Sequence, residues 1–387
     1  MPYWRLSSFY FFYFASLGAL VPYWGLYLEA LGFDAVAIGS LMAVLMATKI
    51  VAPNVWGWIA DHHGHRMRIV RFASLAALIA FAGVFAVRGF WGLAAVMALY
   101  SFFWNASLPQ FEAVTFNHLG RRAARYARIR VWGSVGFIVT VVGVGQWVDR
   151  AGPSVVVWAV LATFFGVWVA SLLVPDREEE KGHEVQEPFL DVLRRREVAA
   201  FFVAVFLMQA SHGPYYAFYT IYLQEWGYSK TVIGGLWGLG VLAEVTLFLF
   251  FMHRLLERFS TRRILLASLA LAGLRWALIG WFPDQPSMMV LAQLLHAASF
   301  GSFHASAIHM IHHHFKGRHQ GRGQALYASM SFGAGGAAGT FASGFVWAHW
   351  GDAVAYTLAS FVALAGAAVV WRSIGDWHER EDQAQGA

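Results

Sequence analysis

Residues 27–41, YLEALGFDAVAIGSL, are matched 195 positions later by residues 222–236, YLQEWGYSKTVIGGL. Both stretches begin with Tyr-Leu, contain a glycine followed by an aromatic residue, and end with Ile-Gly-x-Leu. Each stretch joins two long apolar segments. Because self-similarity at a fixed offset indicates a duplicated architecture, the chain is predicted to consist of two related halves.

The apolar residues are spread along the whole chain. They make up 58% of the 387 residues, whereas only 13% are charged; an average soluble domain carries about 25% charged residues. A helix crosses the hydrocarbon layer with about 20 apolar residues. The chain is therefore predicted to be an all-α integral membrane protein with 12 transmembrane helices, at residues 9–28, 37–59, 69–87, 91–116, 130–148, 155–174, 199–223, 231–251, 264–281, 287–311, 325–347 and 353–371.

The lysine and arginine residues alternate between loops. Most of the 28 fall in every second loop, and the intervening loops hold only Arg88, Arg150 and Lys230. Positive loops remain in the cytoplasm, so both termini are predicted to be cytoplasmic in a bacterial inner membrane. The net charge of +6 is thereby assigned to membrane orientation and not to nucleic-acid binding.

One long polar connection, residues 175–198, divides the predicted spans six and six. The expected organisation is an N-terminal half at 1–174, a cytoplasmic linker at 175–198, and a C-terminal half at 199–387 with a short cytoplasmic tail. Two parallel, pseudo-symmetric six-helix halves are a transporter architecture, in which the substrate site lies between the halves near the midplane.

Residues 57–66, GWIADHHGHR, follow the second predicted span. They resemble the loop motif of the major facilitator superfamily at Gly57, Ala60, Asp61, Gly64 and Arg66. The resemblance implies the major facilitator fold, with this loop as a conformational latch. An acid at a helix end pairs with a base or a helix N-terminus, and glycine permits a tight turn. The alternative interpretation is an ordinary turn between helices.

Several ionisable residues fall inside predicted spans, where their cost is high and a functional role is the default expectation. Lys49 and Glu244 are themselves 195 positions apart and so occupy equivalent places in the two halves. We hypothesise that they form a gate. The complete set comprises Lys49, Glu112, His212, Glu244, Arg275, His296, His304 and His309.

The fourth and fifth predicted spans are similar to those of the oligosaccharide:proton symporters, at Glu112-Ala113 and along residues 128–136. The resemblance implies that Glu112 and Arg130 bind substrate. Phe137 stands where that family stacks its sugar on a tryptophan. Arg130 also has a simpler interpretation, as a positively charged anchor at the cytoplasmic edge.

The tenth predicted span resembles the same family at His296, and Arg275 matches the family's arginine in the ninth span. The family's proton-carrying glutamate is replaced by Ser299. Glu244 is therefore the predicted proton carrier, assisted by Arg275 and His296, because a carboxyl group that alternates between an apolar site and a nearby arginine takes up and releases a proton. The alternative is a static buried pair of Glu244 and Arg275.

A narrower resemblance, to the phenylpropionate permease group of the major facilitator superfamily, covers most of the chain. It is carried above all by residues 212–218 (HGPYYAF), 236–244 (LWGLGVLAE) and 293–305 (QLLHAASFGSFHA). It implies proton-driven uptake of an aromatic carboxylate. An anion favours arginine, and a phenyl ring favours aromatic walls. The further predicted substrate contacts are Tyr27, His212 and Tyr216, although aromatic residues also serve packing and interface belts.

The sequence thus predicts a monomeric symporter whose partners are a small-molecule substrate, protons and the lipid bilayer, with no nucleic acid. A sugar or nucleoside symporter and a proton-driven exporter are the alternatives. No proline interrupts residues 130–148, so the drug-antiporter signature is absent and uptake is favoured. No enzyme constellation, cofactor site or metal site is predicted, and the chain has no cysteine.

Overall fold

The computed structural model describes residues 2–176, 189–316 and 319–376, and within these ranges all regular structure is helical. The first half contains a turn between its first two helices, at residues 21–23, and a 3₁₀ segment at Gly120–Arg125. Its helices are α1 Tyr3–Leu20, α2 Trp24–Ala30, α3 Ala35–His63, α4 Arg66–Ala82, α5 Phe90–Leu119, α6 Tyr126–Ala151 and α7 Val155–Leu173.

The second half begins with a short helix after the undescribed residues 177–188. Its helices are α8 Phe189–Arg194, α9 Arg196–Ser211, α10 Gly213–Glu225, α11 Lys230–Phe250, α12 Met252–Arg258, α13 Thr261–Trp281, α14 Pro286–His296, α15 Ser302–His314, α16 His319–Ala328, α17 Gly336–Trp350 and α18 Asp352–Ser373. Two π-helical segments, Ala297–Gly301 and Ser329–Gly335, join α14 to α15 and α16 to α17.

Within the described residues, ten helices are long and apolar enough to cross a membrane. The two remaining predicted spans, 287–311 and 325–347, coincide with the helices that contain the π segments. A π segment inserts an extra residue into the helical turn and occurs frequently at functional sites. These two helices are therefore the irregular members of the set.

Tryptophans mark the ends of the helices. Among the tryptophans that the structure describes, six expose 60% or more of their surface, and all six lie near a helix end: Trp4, Trp58, Trp91, Trp281, Trp350 and Trp371. Tryptophan is enriched where the hydrocarbon layer meets the headgroups, because its ring is apolar and its N–H is polar. The exposed tryptophans thus agree with a set of helices that crosses a bilayer.

The chain forms two compact units, and unit 1 contains Met1–Lys181 together with Tyr215–Gly238. In unit 1, α1 packs along α6 and α7, and α5 packs along α3 and α4. Glycines allow the closest approach: the Phe11 carbonyl touches Gly136, and the Phe137 carbonyl touches Gly18. Small residues serve membrane helices in this way because no water-driven hydrophobic effect acts between them.

Unit 2 contains Gly182–Pro214 and Leu239–Ala387. In unit 2, α13 packs along α18, and α9 packs along α18 and the second π segment. Gly335 lies against the Phe206 carbonyl, and Gly339 lies against the Ala210 carbonyl. The glycine-rich stretch of residues 333–344 is thus a helix-packing surface. The organisation into halves at 1–174 and 199–387 stays a prediction.

Candidate functional site

A polar group surrounds Glu112 in unit 1; we call Tyr10, Glu112, Tyr126 and Arg130 the N-terminal polar cluster. The Tyr126 hydroxyl donates to Glu112 Oε1 at 3.0 Å. The Tyr10 hydroxyl donates to Thr115 Oγ1 at 3.1 Å. Helices α1, α5 and α6 each contribute to this group. The structure therefore brings together the two charged residues predicted from sequence and adds two tyrosines to them.

Arg130 lies five residues into α6 and is half-buried. Its guanidinium carbon is 3.7 Å from the centre of the Phe14 ring and 5.8 Å from that of Tyr10. Among the described residues, Glu112 and Arg130 form no ion pair within 4.0 Å. The acid of this cluster is thus bonded to a tyrosine hydroxyl, and the base packs on an aromatic ring.

Phe137 lies two turns further along α6 and is half-buried, with its backbone against Gly18. Tyr27 lies in α2, at the other end of the 3–30 span from Tyr3. It is only 6% exposed and packs on Trp24 with ring centres 5.0 Å apart. In this conformation Tyr27 is part of a packed aromatic group.

Tyr216 belongs to another aromatic group of unit 1, which is formed by residues of α10 and α11. Its ring centre is 5.7 Å from that of Tyr215 and 6.5 Å from that of Trp237. Tyr219 completes this group, 4.8 Å from Tyr215. The role of Tyr27, Tyr216 and Phe137 as substrate contacts stays a prediction.

A second polar group lies in unit 2; we call Glu244, Arg275, Gln293 and His296 the C-terminal polar cluster. Arg275 is fully buried. Its Nε donates to the Ala292 carbonyl at 3.0 Å, Nη1 lies 3.0 Å from His296 Nδ1, and Nη2 lies 3.4 Å from Gln293 Oε1. His296 Nε2 is 3.4 Å from Glu244 Oε2. The imidazole therefore links the arginine to the carboxylate.

The protonation of His296 in this arrangement follows from its partners. A guanidinium has only donors, so Nδ1 of His296 accepts from Arg275. The ring proton is consequently on Nε2, which faces Glu244. A neutral imidazole thus donates toward the carboxylate, whose side chain retains 22% exposure. The resulting order is arginine, imidazole and then a partly accessible acid.

Small residues make room for this cluster. A β-carbon at Gly240 would meet Gln293 Oε1 at 3.0 Å, and one at Gly301 would meet Cγ of Glu244 at 3.2 Å. Ser299, which replaces the glutamate of the symporter family, is buried and donates within its own helix to the Leu295 carbonyl at 2.8 Å. The titratable acid of the cluster is thus on α11.

His212, a predicted substrate contact, lies in unit 2 and is fully buried. Its Nδ1 is 2.8 Å from the Met208 carbonyl. Its ring packs edge-on to Trp276 at 4.7 Å and to Phe300 at 5.6 Å. In this conformation His212 is packed among aromatic rings, and its role as a substrate contact stays a prediction.

The two π segments meet in an aromatic group that the sequence reading missed. Phe300 lies in the first segment and Phe332 in the second, with ring centres 6.2 Å apart. His304 stacks on Phe300 at 6.2 Å, and its Nδ1 is 2.9 Å from the Tyr327 hydroxyl. His296 stacks on the other face of Phe300 at 5.1 Å. The spacing of four residues between His296, Phe300 and His304 was the signal available in the sequence.

Lys49 lies in α3 of unit 1 with its Nζ 3.7 Å from Met46 Sδ. Glu244 belongs to unit 2. The proposed gate between the two residues stays a prediction.

The 57–66 loop ends α3 and begins α4. Gly64 has φ +71°, the left-handed conformation that glycine adopts without strain. Arg66 Nη1 donates to Gln110 Oε1 of α5 at 2.6 Å. Gly57 lies inside α3 with open space around it. The side chain of Asp61 lies outside the described part of the structure, so the latch stays a prediction.

The model of the family described as MFS_1 like matches residues 3–358. The chain belongs to this MFS_1-like family of the major facilitator superfamily. The MFS_1-like chain is 28% identical over 361 residues to a probable 3-phenylpropionic acid transporter of Escherichia coli (strain K12), which covers 90% of this chain and 92% of that protein. It is 26% identical over 369 residues to a maltose permease of Geobacillus stearothermophilus, with 94% and 92% covered.

The crystal structure of the nucleoside transporter NupG superposes on the MFS_1-like chain with a TM-score of 0.83. The match covers 96% of this chain and 98% of that one, at 17% sequence identity. At this identity the superposition establishes the major facilitator fold. Family and fold together make the chain a membrane transporter and not an enzyme. Among the described residues, no group of acids and histidines is arranged to hold a metal ion.

Proposed function

We propose that this MFS_1-like chain takes up a small aromatic carboxylate together with protons. The observation that carries the proposal is the linked arrangement of Arg275, His296 and Glu244 inside a membrane-spanning bundle. A buried arginine, an imidazole with a defined tautomer and a partly exposed acid are the parts that a reversible proton site requires.

Glu244 is the proton acceptor in this proposal. Its side chain is 22% exposed, whereas the side chain of His296 is 10% exposed and Arg275 is fully buried. A proton arriving from water thus reaches the acid first. Because His296 already accepts from Arg275, it holds the carboxylate by donation and does not compete for the proton.

Arg130 and Glu112 are the substrate-binding residues in this proposal. The guanidinium carbon of Arg130 is 3.7 Å from the centre of the Phe14 ring, and Arg130 forms no ion pair with Glu112. A substrate carboxylate gains charge-assisted hydrogen bonds from such a group. Phe14 and Tyr10 offer aromatic surface beside it, which suits a ligand that combines a ring with an anion. Phe137, further along the same helix, extends this surface.

Charge balance explains why proton and substrate would travel together. In the two polar clusters of the empty carrier, the positive charges of Arg130 and Arg275 equal in number the negative charges of Glu112 and Glu244. Adding a carboxylate leaves one excess negative charge, and uncompensated charge inside the membrane is costly. One proton on Glu244 restores the balance. Loaded and empty carriers then have equal net charge, while the half-loaded forms do not.

The direction and orientation are part of the same proposal. The arginine-rich loops and both termini face the cytoplasm of a bacterial inner membrane, by the positive-inside rule. Substrate and protons enter together through alternating access of the halves 1–174 and 199–387. Lys49 and the loop with Asp61 act on the conformational exchange and not on the ligand.

The relatives support the substrate class and supply a competing one. One relative is named a probable 3-phenylpropionic acid transporter, which agrees with a site that combines arginine and aromatic rings. Another is named a maltose permease, and the Glu112–Tyr126 pair would also suit sugar hydroxyls. A sugar is therefore the second candidate.

Purified protein in proteoliposomes, with an acidic outside and a neutral inside, tests the proposal. Radiolabelled 3-phenylpropionate, maltose and a nucleoside are offered in separate samples. We expect only the carboxylate to accumulate, a protonophore to abolish the accumulation, and a trapped pH-sensitive dye to report acidification when the carboxylate is added.

Two results would contradict the proposal in different ways. Accumulation of maltose without accumulation of the carboxylate would overturn the substrate class. Equilibration of the carboxylate without acidification, unaffected by the protonophore, would overturn the coupling.

A further inference from the structure

In unit 1, the last turn of α6 meets the first turn of α11 through one carboxylate. Asp149 Oδ1 accepts the backbone N–H of Lys230 at 2.9 Å. Asp149 Oδ2 accepts the backbone N–H of Thr231 at 2.8 Å and the hydroxyl of Thr231 at 2.6 Å. Three hydrogen bonds thus join two helices that lie far apart in the sequence.

These bonds make Asp149 a helix cap supplied from another helix. The first N–H groups of a helix have no partner in their own helix, and a negative charge there is favourable. The cap is normally the residue before the helix, as in α3, where Asp34 accepts from Ala37 N–H at 2.8 Å. In α11 the local Ser229 contributes a longer bond, 3.3 Å from Val232 N. The shorter bonds come from Asp149.

The backbones around this cap are in direct contact. The Tyr23 hydroxyl donates to the Val141 carbonyl at 2.7 Å and lies 3.4 Å from the Lys230 carbonyl. A β-carbon at Gly145 would collide with the Lys230 carbonyl, and one at Gly234 would collide with the Tyr23 hydroxyl. The contact therefore depends on glycine on both helices.

The same contact continues along α2 and α10. Gly25 lies against the Ala217 carbonyl, and the Thr220 hydroxyl donates to the Pro22 carbonyl. We call the surface where residues 215–238 meet α2 and α6 the 215–238 seam. It joins residues on both sides of the predicted linker and lies at the end of unit 1 away from the loop with Asp61.

We propose that Asp149 is a releasable clamp that holds the 215–238 seam closed during one stage of transport. Transporters with two repeats open each end in turn, so contacts that join residues 1–174 to residues 199–387 must break once in every cycle. The Asp149 carboxylate is exposed, and water replaces its partners when the seam parts. A buried carboxylate would not regain hydrogen bonds from water, and it would therefore oppose opening of the seam much more strongly.

This inference rests on alternating access alone and not on the substrate or on the proton. It assigns Asp149 a positioning role that acts through the first turn of α11. The residue does not touch substrate. Tyr23, Gly145 and Gly234 shape the surface, and Asp149 supplies the directional bonds that set how long the seam stays closed.

Thiol labelling tests the clamp without any substrate. The chain has no cysteine, so Ala217→Cys introduces the only thiol, at a position that is 4% exposed in the seam. In nanodiscs, we expect Asp149→Ala to raise the labelling rate of this thiol by a hydrophilic maleimide about fivefold, the effect of losing one capping carboxylate. Asp149→Asn is expected to have a smaller effect, because the amide keeps one acceptor.

Asp34→Ala is the matched control, because it removes a capping carboxylate from α3 that does not join two helices. It should leave the labelling rate unchanged. A second reporter, Ser154→Cys, is exposed and should label equally in all backgrounds. If Asp149→Ala does not yield folded protein, Thr231→Val, which removes one of the three donors, provides the test and should raise labelling less.

Equal labelling of the Ala217→Cys thiol in the Asp149 and Asp34 variants would overturn the clamp. A rise at both the Ala217→Cys and Ser154→Cys reporters would also overturn it, because that result indicates general loosening. Since no substrate is present, either outcome leaves the proposed symport untouched, and a failure of symport leaves the clamp untouched.

Discussion

In the N-terminal polar cluster Arg130 lies against the Phe14 ring and Glu112 accepts from Tyr126, with no ion pair between acid and base within 4.0 Å. In the C-terminal polar cluster Arg275 is fully buried and reaches the carboxylate of Glu244 through His296. Both groups contain one arginine and one glutamate on membrane-spanning helices. They differ in whether those charges are linked to each other.

This difference in contacts agrees with the proposal that one cluster carries the proton and the other binds the substrate. An arginine linked through an imidazole to an acid is suited to holding or releasing a proton without reorganising the protein. An arginine and an acid that form no ion pair with each other are suited to a ligand that offers a partner to the arginine. Fold and family do not distinguish the two clusters, and the contacts of individual side chains do.

The largest effect is expected for Arg275→Gln. Removing one partner from a buried charged group leaves the other without compensation, which destabilises by about 3–5 kcal/mol. The matched variant Arg130→Gln removes a half-buried cation–π contact and should destabilise by no more than about 1 kcal/mol. Thermal unfolding in detergent measures both. Equal destabilisation would remove the distinction between the clusters.

Glu244→Gln should abolish accumulation against a gradient while leaving substrate exchange intact. The amide keeps the hydrogen bond from His296 but cannot take up a proton. Counterflow, in which labelled substrate exchanges for unlabelled substrate, needs no net proton movement and should remain within about threefold of the wild-type rate, the size of one ordinary hydrogen-bond change.

Glu112→Gln is the opposite control for that experiment. Because an ionised Glu112 only accepts hydrogen bonds and the proposed substrate is itself a carboxylate, removing its charge should strengthen substrate binding by about tenfold or more and should change counterflow and accumulation together. Asp191→Asn, an exposed acid paired with Arg194, should change neither. Loss of counterflow in Glu244→Gln would place that residue among the substrate contacts instead.

The smallest effect is expected for Tyr126→Phe. It deletes the hydrogen bond to Glu112 and should weaken substrate binding about three- to tenfold. Tyr10→Phe is the matched control, because its hydroxyl bonds Thr115 and not Glu112. Binding measured by isothermal titration separates the two. A larger loss of substrate affinity in Tyr10→Phe than in Tyr126→Phe would contradict this prediction and would show that the contact with Thr115 governs affinity.

The membrane spans and the two halves could be predicted from the sequence because both leave periodic or repeated patterns in it. Apolar runs identified the membrane spans, and the match of residues 27–41 to 222–236 indicated two halves. Resemblance brought Arg275 and His296 into one site and showed that Ser299 had replaced an acid. The spans and the halves need only spacing along the chain, whereas the site residues rest on the resemblance; the family and fold confirm a major facilitator transporter.

Contacts between side chains of different helices leave no such pattern in the sequence. Whether His212 faces a cavity or packs behind Phe300 depends on how its helix is rotated, and the sequence alone left both open. The two π segments, AASFG and SMSFGAG, likewise carry no sequence pattern that distinguishes them from an α-helix.

Residues 1–387 by themselves therefore determined that the chain crosses a membrane many times and predicted two related halves, because hydrophobic length and repetition are properties of the linear chain. The tertiary structure alone decided that Glu112 and Arg130 stay apart while Glu244 and Arg275 are linked, and that Asp149 caps α11. The physical reason is that a hydrogen bond depends on distances of a few ångströms between helices, which only their packing sets.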